Sequence, residues 1–298
     1  MRTRALRYFE VVAQEGSIRR AADVLHVAPS AISRQVQKLE EQLSVTLMQR
    51  HKQGMLLTTA GDQLLRFIRD MRQREDYFLS HLADAEALKT GTLRLATGGG
   101  FISDLIGNAI ADFARTYPGV RIDLNICGGD EVIRLVQDDE AELGIVFHQH
   151  NNAYVESLLT CRQPLVLMVS PEHRLATCTE LSLQEVAGET FAVLTEAFHI
   201  RQLLTLWENK SRIHLRAQLT CNSFDALKLY VRTGLAVTVL PRFSASSEIR
   251  DGTLHAIDLV DEVLTNTSVH LVMRKGRQTT AAMQTMRDYI GRTMEAFS

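Results

Sequence analysis

The chain has 298 residues, 45% of them apolar and 23% charged, with a formal net charge of −2. That length suits two or more domains, and the composition is that of an ordinary soluble globular protein with enough apolar residues for a sizeable core. No run approaches the roughly 18 apolar residues of a membrane span, and Glu10 and Glu15 stand where a secretory signal needs an apolar stretch, so a cytoplasmic protein without a membrane partner is expected.

The near-neutral total conceals an asymmetry. Residues 1–66 carry ten Arg/Lys against six Asp/Glu, whereas residues 91–298 carry nineteen against twenty-four. A basic N-terminal module on an acidic remainder suits a nucleic-acid binder that the whole-chain charge would exclude. Cys127, Cys161, Cys178 and Cys221 are widely spaced, which argues against a zinc site or a disulfide framework.

Three helices are expected first. About Thr3 to Gln14, Leu6, Phe9 and Val12/Ala13 share a face. A second helix follows Gly16 with Ser17 as N-cap, burying Ile18, Ala21, Ala22 and Leu25. The third begins at Pro29, which a first helical turn tolerates because its missing N–H would be unpaired anyway. In this third helix Ile32, Val36, Leu39 and Leu43 recur at steps of four, three and four, and the opposite face carries Ser30, Ser33, Arg34, Gln37 and Lys38. Two short helices with a tight turn and small residues at the crossing describe a helix-turn-helix, whose second helix enters the major groove N-terminal end first. Ser30, Ser33 and Arg34 then lie where side chains meet base edges and phosphates, and Arg can bridge O6 and N7 of guanine. Arg19 and Arg20 sit in a helical first turn against the macrodipole, a placement that makes sense facing phosphate. The stretch "RHKQGMLLT" reads as a basic hairpin, a wing, with Arg50, His51 and Lys52 near its tip.

Residues 9–61 resemble the winged helix-turn-helix of LysR-type transcriptional regulators. The match rests on Phe9, Gly16-Ser17, Ala21-Ala22, Leu25, Ala31, Ser33, Leu39-Glu40, Leu43, Leu47, Arg50, Leu57-Thr58 and Ala60-Gly61. Three positions depart from that pattern. Pro29 stands where the family often has a base-contacting Gln, so base reading there is apolar or absent; Ser44 replaces a usual Gly, and Met48 a usual Phe. From Thr59 to about Lys89 the sequence has no Pro and one Gly, and Leu64, Ile68, Met71, Phe78, Leu82 and Ala85 form a heptad seam interrupted at Glu75. The resemblance implies a linker helix that pairs two subunits, giving a homodimer at least, with a homotetramer as the larger assembly.

Beyond residue 90 the periodicity changes. "KTGTLRLATGGG" carries a strand, followed by a helical stripe of Ile102, Leu105, Ile106, Ala109, Ile110 and Phe113. "YPGVRIDLNICGG" alternates at Val120, Ile122, Leu124 and Ile126, and β-α-β succession continues through "AELGIVF", "PLVLMVS", "TFAVL", "LAVTVLP" and "SVHLVMR" to a final helix from about Thr280. Such alternation implies parallel sheets faced by helices, with ligands outside the carboxyl ends of the strands. Gly98-Gly99-Gly100 and Gly128-Gly129 fall at those ends and lean toward a carboxylate or other anion. Ser103 stands where a third dinucleotide-site glycine should be, so no nicotinamide cofactor is expected, and no other cofactor is implied. His148-x-His150 lacks a third metal ligand, and no spacing supports a triad of Ser103, His148 and Asp130.

"YPGV", "AELGI" and "TGLAVTVLP" extend the resemblance over nearly the whole chain. It implies a DNA-binding domain at 1–58, a linker helix at 59–90, and a two-lobed α/β effector domain, like a periplasmic binding protein, at 91–298. One lobe would hold 91–162 and 267–298, the other 163–266. The resemblance further implies a cleft lined by Thr97, Gly99, Phe101, Gly129, Phe147, His148, Thr195, Asn222 and Ser223. The expected function is a regulator that binds double-stranded DNA under control of a small-molecule effector. The alternatives are an architectural DNA-binding protein without ligand response and an enzyme using the α/β cleft.

Overall fold

A computed structural model describes residues 4–52, 54–82, 91–148 and 152–298. The chain divides into two units, one ending at His81 and the other beginning at Leu82.

In the first unit, α1 (Arg4–Glu15), α2 (Ile18–Leu25) and α3 (Pro29–Leu43) precede a hairpin of β1 (Met48–His51) and β2 (Gly54–Leu57), and α4 (Thr59–Leu82) follows. Ser17 Oγ accepts from Arg20 N to start α2, and Pro29 occupies the first turn of α3. Both helices end on left-handed residues, His26 and Ser44, with φ of 53° and 55°. Ser44 thus occupies a conformation that glycine adopts without strain. The core joins Phe9, Val12, Ala21, Ala22, Ile32, Val36, Leu39, Leu47 and Met48, so the methionine at 48 fills core space. Leu43 was expected on the buried face of α3 but is 47% exposed, because the helix ends one turn past the body it packs against. Glu40 Oε1 accepts from Leu47 N and Met48 N at 2.7 and 3.1 Å, anchoring the first strand of the hairpin to α3.

α4 departs from the expected seam. Leu65 and Ile68 are buried in the core just described, so Ile68 serves the head and not a helix pair. Among the described side chains of α4 the outward large apolar ones are Phe67 and Phe78, with half-buried Met71 between them at heptad spacing. The side chain of Leu82, and Ala85, lie outside the described residues.

The second unit begins with β3 (Gly91–Thr97) and a tight turn, Gly99–Phe101, that leads into α5 (Ile102–Asp104). A π-helical segment, Leu105–Ile110, then passes into α6 (Ala111–Thr116). The wider π turn shifts the facing of the stripe: Leu105, Ala109 and Phe113 are buried, but Ile106 is exposed. β4 (Val120–Ile126), α7 (Gly129–Gln137), β5 (Leu143–Phe147) and β6 (Val155–Arg162) complete the first passage. The second lobe contains β7 (Leu165–Val169), β8 (Glu180–Leu181), β9 (Thr190–Leu194), α8 (His199–Ser211), β10 (Arg216–Cys221), α9 (Phe224–Arg232), β11 (Thr238–Pro241), α10 (Ser246–Arg250), β12 (His255–Leu259) and α11 (Glu262–Thr265). The chain then returns through β13 (Ser268–Arg274) and α12 (Ala281–Thr293).

One sheet has the order β4-β3-β5-β13-β6. The other lobe holds β11-β7-β12-β8 and the pair β10-β9, joined by a bridge between Phe191 and Val237. Neither lobe is wholly parallel, as β-α-β succession alone would give. β13 runs antiparallel to β5 and β6, because the chain re-enters the first lobe in the opposite sense, and within the second lobe β11 and β12 run antiparallel to β7. At the crossing Gln163 N donates to Thr267 O at 2.9 Å and Thr267 Oγ1 to Gln163 O at 2.6 Å. β4 is an edge strand, which leaves Ile126 52% exposed despite its apolar alternation. Arg277, buried, ties the first lobe by pairing with Asp139 and, at 2.8 Å, with Glu142. No helix among the described residues is long and apolar enough to cross a membrane.

Candidate functional site

Two surfaces carry the expected chemistry. On the head, Pro29, Ser30, Arg34, Gln37 and Lys38 of α3 are exposed and Ser33 is half-buried, on the face opposite Ile32, Val36 and Leu39. Arg50, His51 and Lys52 are exposed on the hairpin, and Arg19 and Arg20 on the first turn of α2. Arg20 also has an internal role, since its guanidinium donates to the Glu15 carbonyl across the turn. Met55 N donates to Gly16 O at 2.8 Å, which locks the hairpin to the turn before α2. Helix α3, the start of α2 and the hairpin therefore form one fixed basic surface, as an electrostatic footprint for phosphate requires.

The second surface is the cleft between the lobes. It is lined by Gly98, Gly99, Gly100, Phe101, Cys127, Gly129, Val146 and Phe147 from the first lobe, and by Phe198, His199, Ile200 and Phe224 from the second. Its cavity is about 40 Å³, room for only a few water molecules. These residues sit at the carboxyl ends of β3, β4, β5, β9 and β10, where loops turn into helices. α7 and α8 start here without a side-chain cap; Asp130 and Glu131 occupy the first turn of α7, whereas α8 has no acidic residue there and its first-turn amides lend the cleft a positive potential.

His199 is the ionisable imidazole of this lining. Its Nδ1 lies 3.1 Å from the carbonyl oxygen of Phe147. A carbonyl can only accept, so Nδ1 carries the proton, and Nε2 faces Asp130 Oδ1 at 3.7 Å. This contact joins one lobe to the other. Phe101 and Phe243 add a second tie, stacked with centroids 4.9 Å apart. Burial, reinforced by the charge of Glu131, pushes the Cys127 thiol up from its ordinary value and keeps it protonated at neutral pH.

Of the residues expected in the cleft, Gly99, Phe101, Gly129 and Phe147 line it. Thr97, His148, Thr195, Asn222 and Ser223 do not. Thr97, the last residue of β3, is buried, and Ser223 spends its hydroxyl capping α9 at Ala226 N, 3.3 Å away. His148 leaves β5 on a left-handed turn, with φ of 50°, toward Ser268. His150 lies outside the described residues, among which no cluster of His, Cys, Asp and Glu could hold a metal ion. Phe198, His199 and Phe224 were missed. Each follows a strand end as the first residue of a helix or the one before it, a position that itself points at the cleft.

A winged helix-turn-helix with a basic reading face, in a chain that also carries a two-lobed α/β domain with a central cleft, defines a DNA-binding regulator of the ligand-responsive class. The model of the bacterial regulatory helix-turn-helix protein, lysR family, matches residues 3–62, and that of the LysR substrate binding domain matches residues 86–295. The chain belongs to the LysR family of transcriptional regulators. It is 26% identical over 287 residues to the RuBisCO operon transcriptional regulator of Allochromatium vinosum, covering 96% of this chain and 94% of that protein. Among solved structures, a full-length OxyR variant from Pseudomonas aeruginosa superposes with a TM-score of 0.73 at 19% identity, covering 99% of this chain and 96% of that one. Full-length CbnR, solved with its target DNA, superposes with a TM-score of 0.59 at 21% identity, covering 98% and 100%.

Proposed function

We propose that the chain binds a specific DNA duplex through paired heads and adjusts that grip to a small molecule held between its lobes. The observation that carries this reading is the fixed basic surface of α3, α2 and the hairpin, whose outward residues have no role in the head's core. Ser30, Ser33 and Arg34 are assigned to base edges. Gln37, Lys38, Arg19, Arg20, Arg50, His51 and Lys52 are assigned to phosphate and groove walls, and Pro29 to an apolar contact. The exposed Phe67 and Phe78 face of α4 is assigned to a second copy of the chain, which would present two heads to DNA. The proposed domains are residues 1–58, 59–90 and 91–298, and the proposed site of action is the cytoplasm.

An effector changes DNA geometry only by as much as it prefers one arrangement of the subunits over another, about 1.4 kcal/mol for each tenfold change. The start of α8, which has neither a side-chain cap nor an acidic residue in its first turn, favours a ligand with an acceptor or anionic group. Turnover is not proposed. Ser103, His148 and Asp130 do not line the cleft, Asp130 faces His199, and the Cys127 thiol is held protonated.

The test uses a duplex selected from a random pool by the full chain. Arg34→Ala should lower affinity for that duplex by a factor equivalent to about 1–3 kcal/mol while sparing random DNA. Lys52→Ala should weaken both about equally and reduce the salt slope by about one. Unchanged sequence preference in Arg34→Ala would overturn the assignment of the reading helix.

A further inference from the structure

The cleft's walls are aromatic, and one ring does not behave as wall. Phe224 comes from the second lobe, is 9% exposed, and lies across the glycine turn of the first. A Cβ on Gly100 would fall 2.7 and 2.8 Å from the Cε1 and Cζ atoms of that ring, and one on Gly99 would fall 3.5 Å from its Cδ2. Any side chain at residue 100 would expel the ring, so the glycines form a flat shelf with Phe224 lying on it. Phe198 meets the ring at an interplanar angle of 73° with centroids 5.9 Å apart. With the ring in place, the remaining cavity of about 40 Å³ is too small for an organic effector.

Resting on the reading of the cleft as the effector site, we propose that Phe224 occupies the effector's own place. The ligand is then a flat, apolar-bodied molecule of about one ring, which lies on the Gly99–Gly100 shelf against Phe198 when Phe224 swings out. Flatness follows from the place itself, which a ring fills so closely against the glycine turn that no Cβ fits between them, and the apolar body from Phe101, Phe147, Phe198 and Ile200 in the lining. His199, which ties the lobes through Phe147 O, lines the same cavity and would meet the ligand's polar group at its rim. Binding thereby exchanges a protein ring for a ligand ring and loosens one contact between the lobes.

The experiment follows the Phe224 ring directly. The full chain is labelled with 4-fluorophenylalanine, its Phe224 resonance is assigned with Phe224→Leu, and it is titrated with phenol as a planar probe and cyclohexanol as a puckered one. Phenol should move the Phe224 resonance toward its solvent-exposed position, and cyclohexanol should not. Phe224→Ala and Phe224→Leu should bind phenol about tenfold or more tighter, because the probe no longer competes with a buried ring. Gly100→Ala added to Phe224→Ala, its fold checked by circular dichroism, should bind phenol about tenfold more weakly than Phe224→Ala alone because its methyl stands on the shelf. Phenol that binds without moving the resonance, or that fails to bind the wild type up to its solubility limit, would overturn the proposal. So would affinity in both Phe224 variants equal to the wild type. Retention on selected DNA separates the two readings. Ring displacement without any change in DNA binding would keep this proposal and sink the effector role of the cleft. A ligand that alters DNA binding while the ring stays put would do the reverse.

Discussion

Gly54→Ala tests whether the hairpin is held in place by backbone contact. Gly54 has a φ of +129°, a conformation that residues with a Cβ rarely adopt, and that Cβ would lie 2.3 Å from the carbonyl oxygen of Gly16. Real Cβ contacts stop near 3.0 Å, so the hairpin must retreat by about 0.7 Å. That retreat stretches the 2.8 Å bond from Met55 N to Gly16 O, which fixes β2 to the turn before α2. Backbone strain of about 1–3 kcal/mol and a lost hydrogen bond of about 1 kcal/mol together give roughly 2–4 kcal/mol. The head is a small unit, in which each kcal/mol moves the midpoint by roughly 4–8 °C, so its calorimetric transition should fall by roughly 8–32 °C. Gly188→Ala is the control, since a Cβ there meets nothing within 4 Å. It should leave both transitions within about 0.5 kcal/mol of wild type. A head transition in Gly54→Ala within about 2 °C of wild type would show that this contact does not hold the wing.

Three further outcomes are expected. Ser44→Gly should stabilise the head by about 0.5–1 kcal/mol in denaturant unfolding, because the left-handed end of α3 no longer carries a Cβ. Arg277→Met should cost the second unit about 3–5 kcal/mol, since Asp139 and Glu142 would keep buried charge without their shared partner; an Asp139→Asn change in the same chain should recover part of that loss. Burial first, and then the charge of His148, hold the His270 pKa below its usual 6.5. The unfolded chain therefore takes up the proton first as pH falls, and stability is lost from about pH 6.5 downward until the folded state also titrates. Wild type should lose more of its melting temperature than His270→Asn between roughly pH 7.5 and pH 5.5.

How much of this was legible in the sequence depended on how local the cause was. Ser17, Pro29 and the apolar steps of α3 act within a turn or two, and α2 and α3 lie where those signals put them. Ile68 misled because a heptad cannot say which partner its residues serve. Leu65 and Ile68 enter the head's own core, leaving Phe67 to the open face. Ile106 misled for a different reason, since the π-helical segment changes the angular step that a stripe of apolar residues assumes. The cleft was half legible. Glycines at strand ends announce Gly99 and Gly129, but the partners that meet them come from far along the chain, across a lobe crossing. Phe224 and His199 belong to ordinary helix starts, and only the closing of one lobe on the other gives them a common site.

The central claim, a duplex-binding regulator with paired reading heads, is tested most directly by a chemical footprint of the full chain on its selected duplex. The account predicts protection of two half-sites in inverted repeat, their major grooves about one helical turn or a whole multiple apart, with both half-sites weakened together by Arg34→Ala. Protection of a single half-site, or uniform protection without sequence preference, would contradict it.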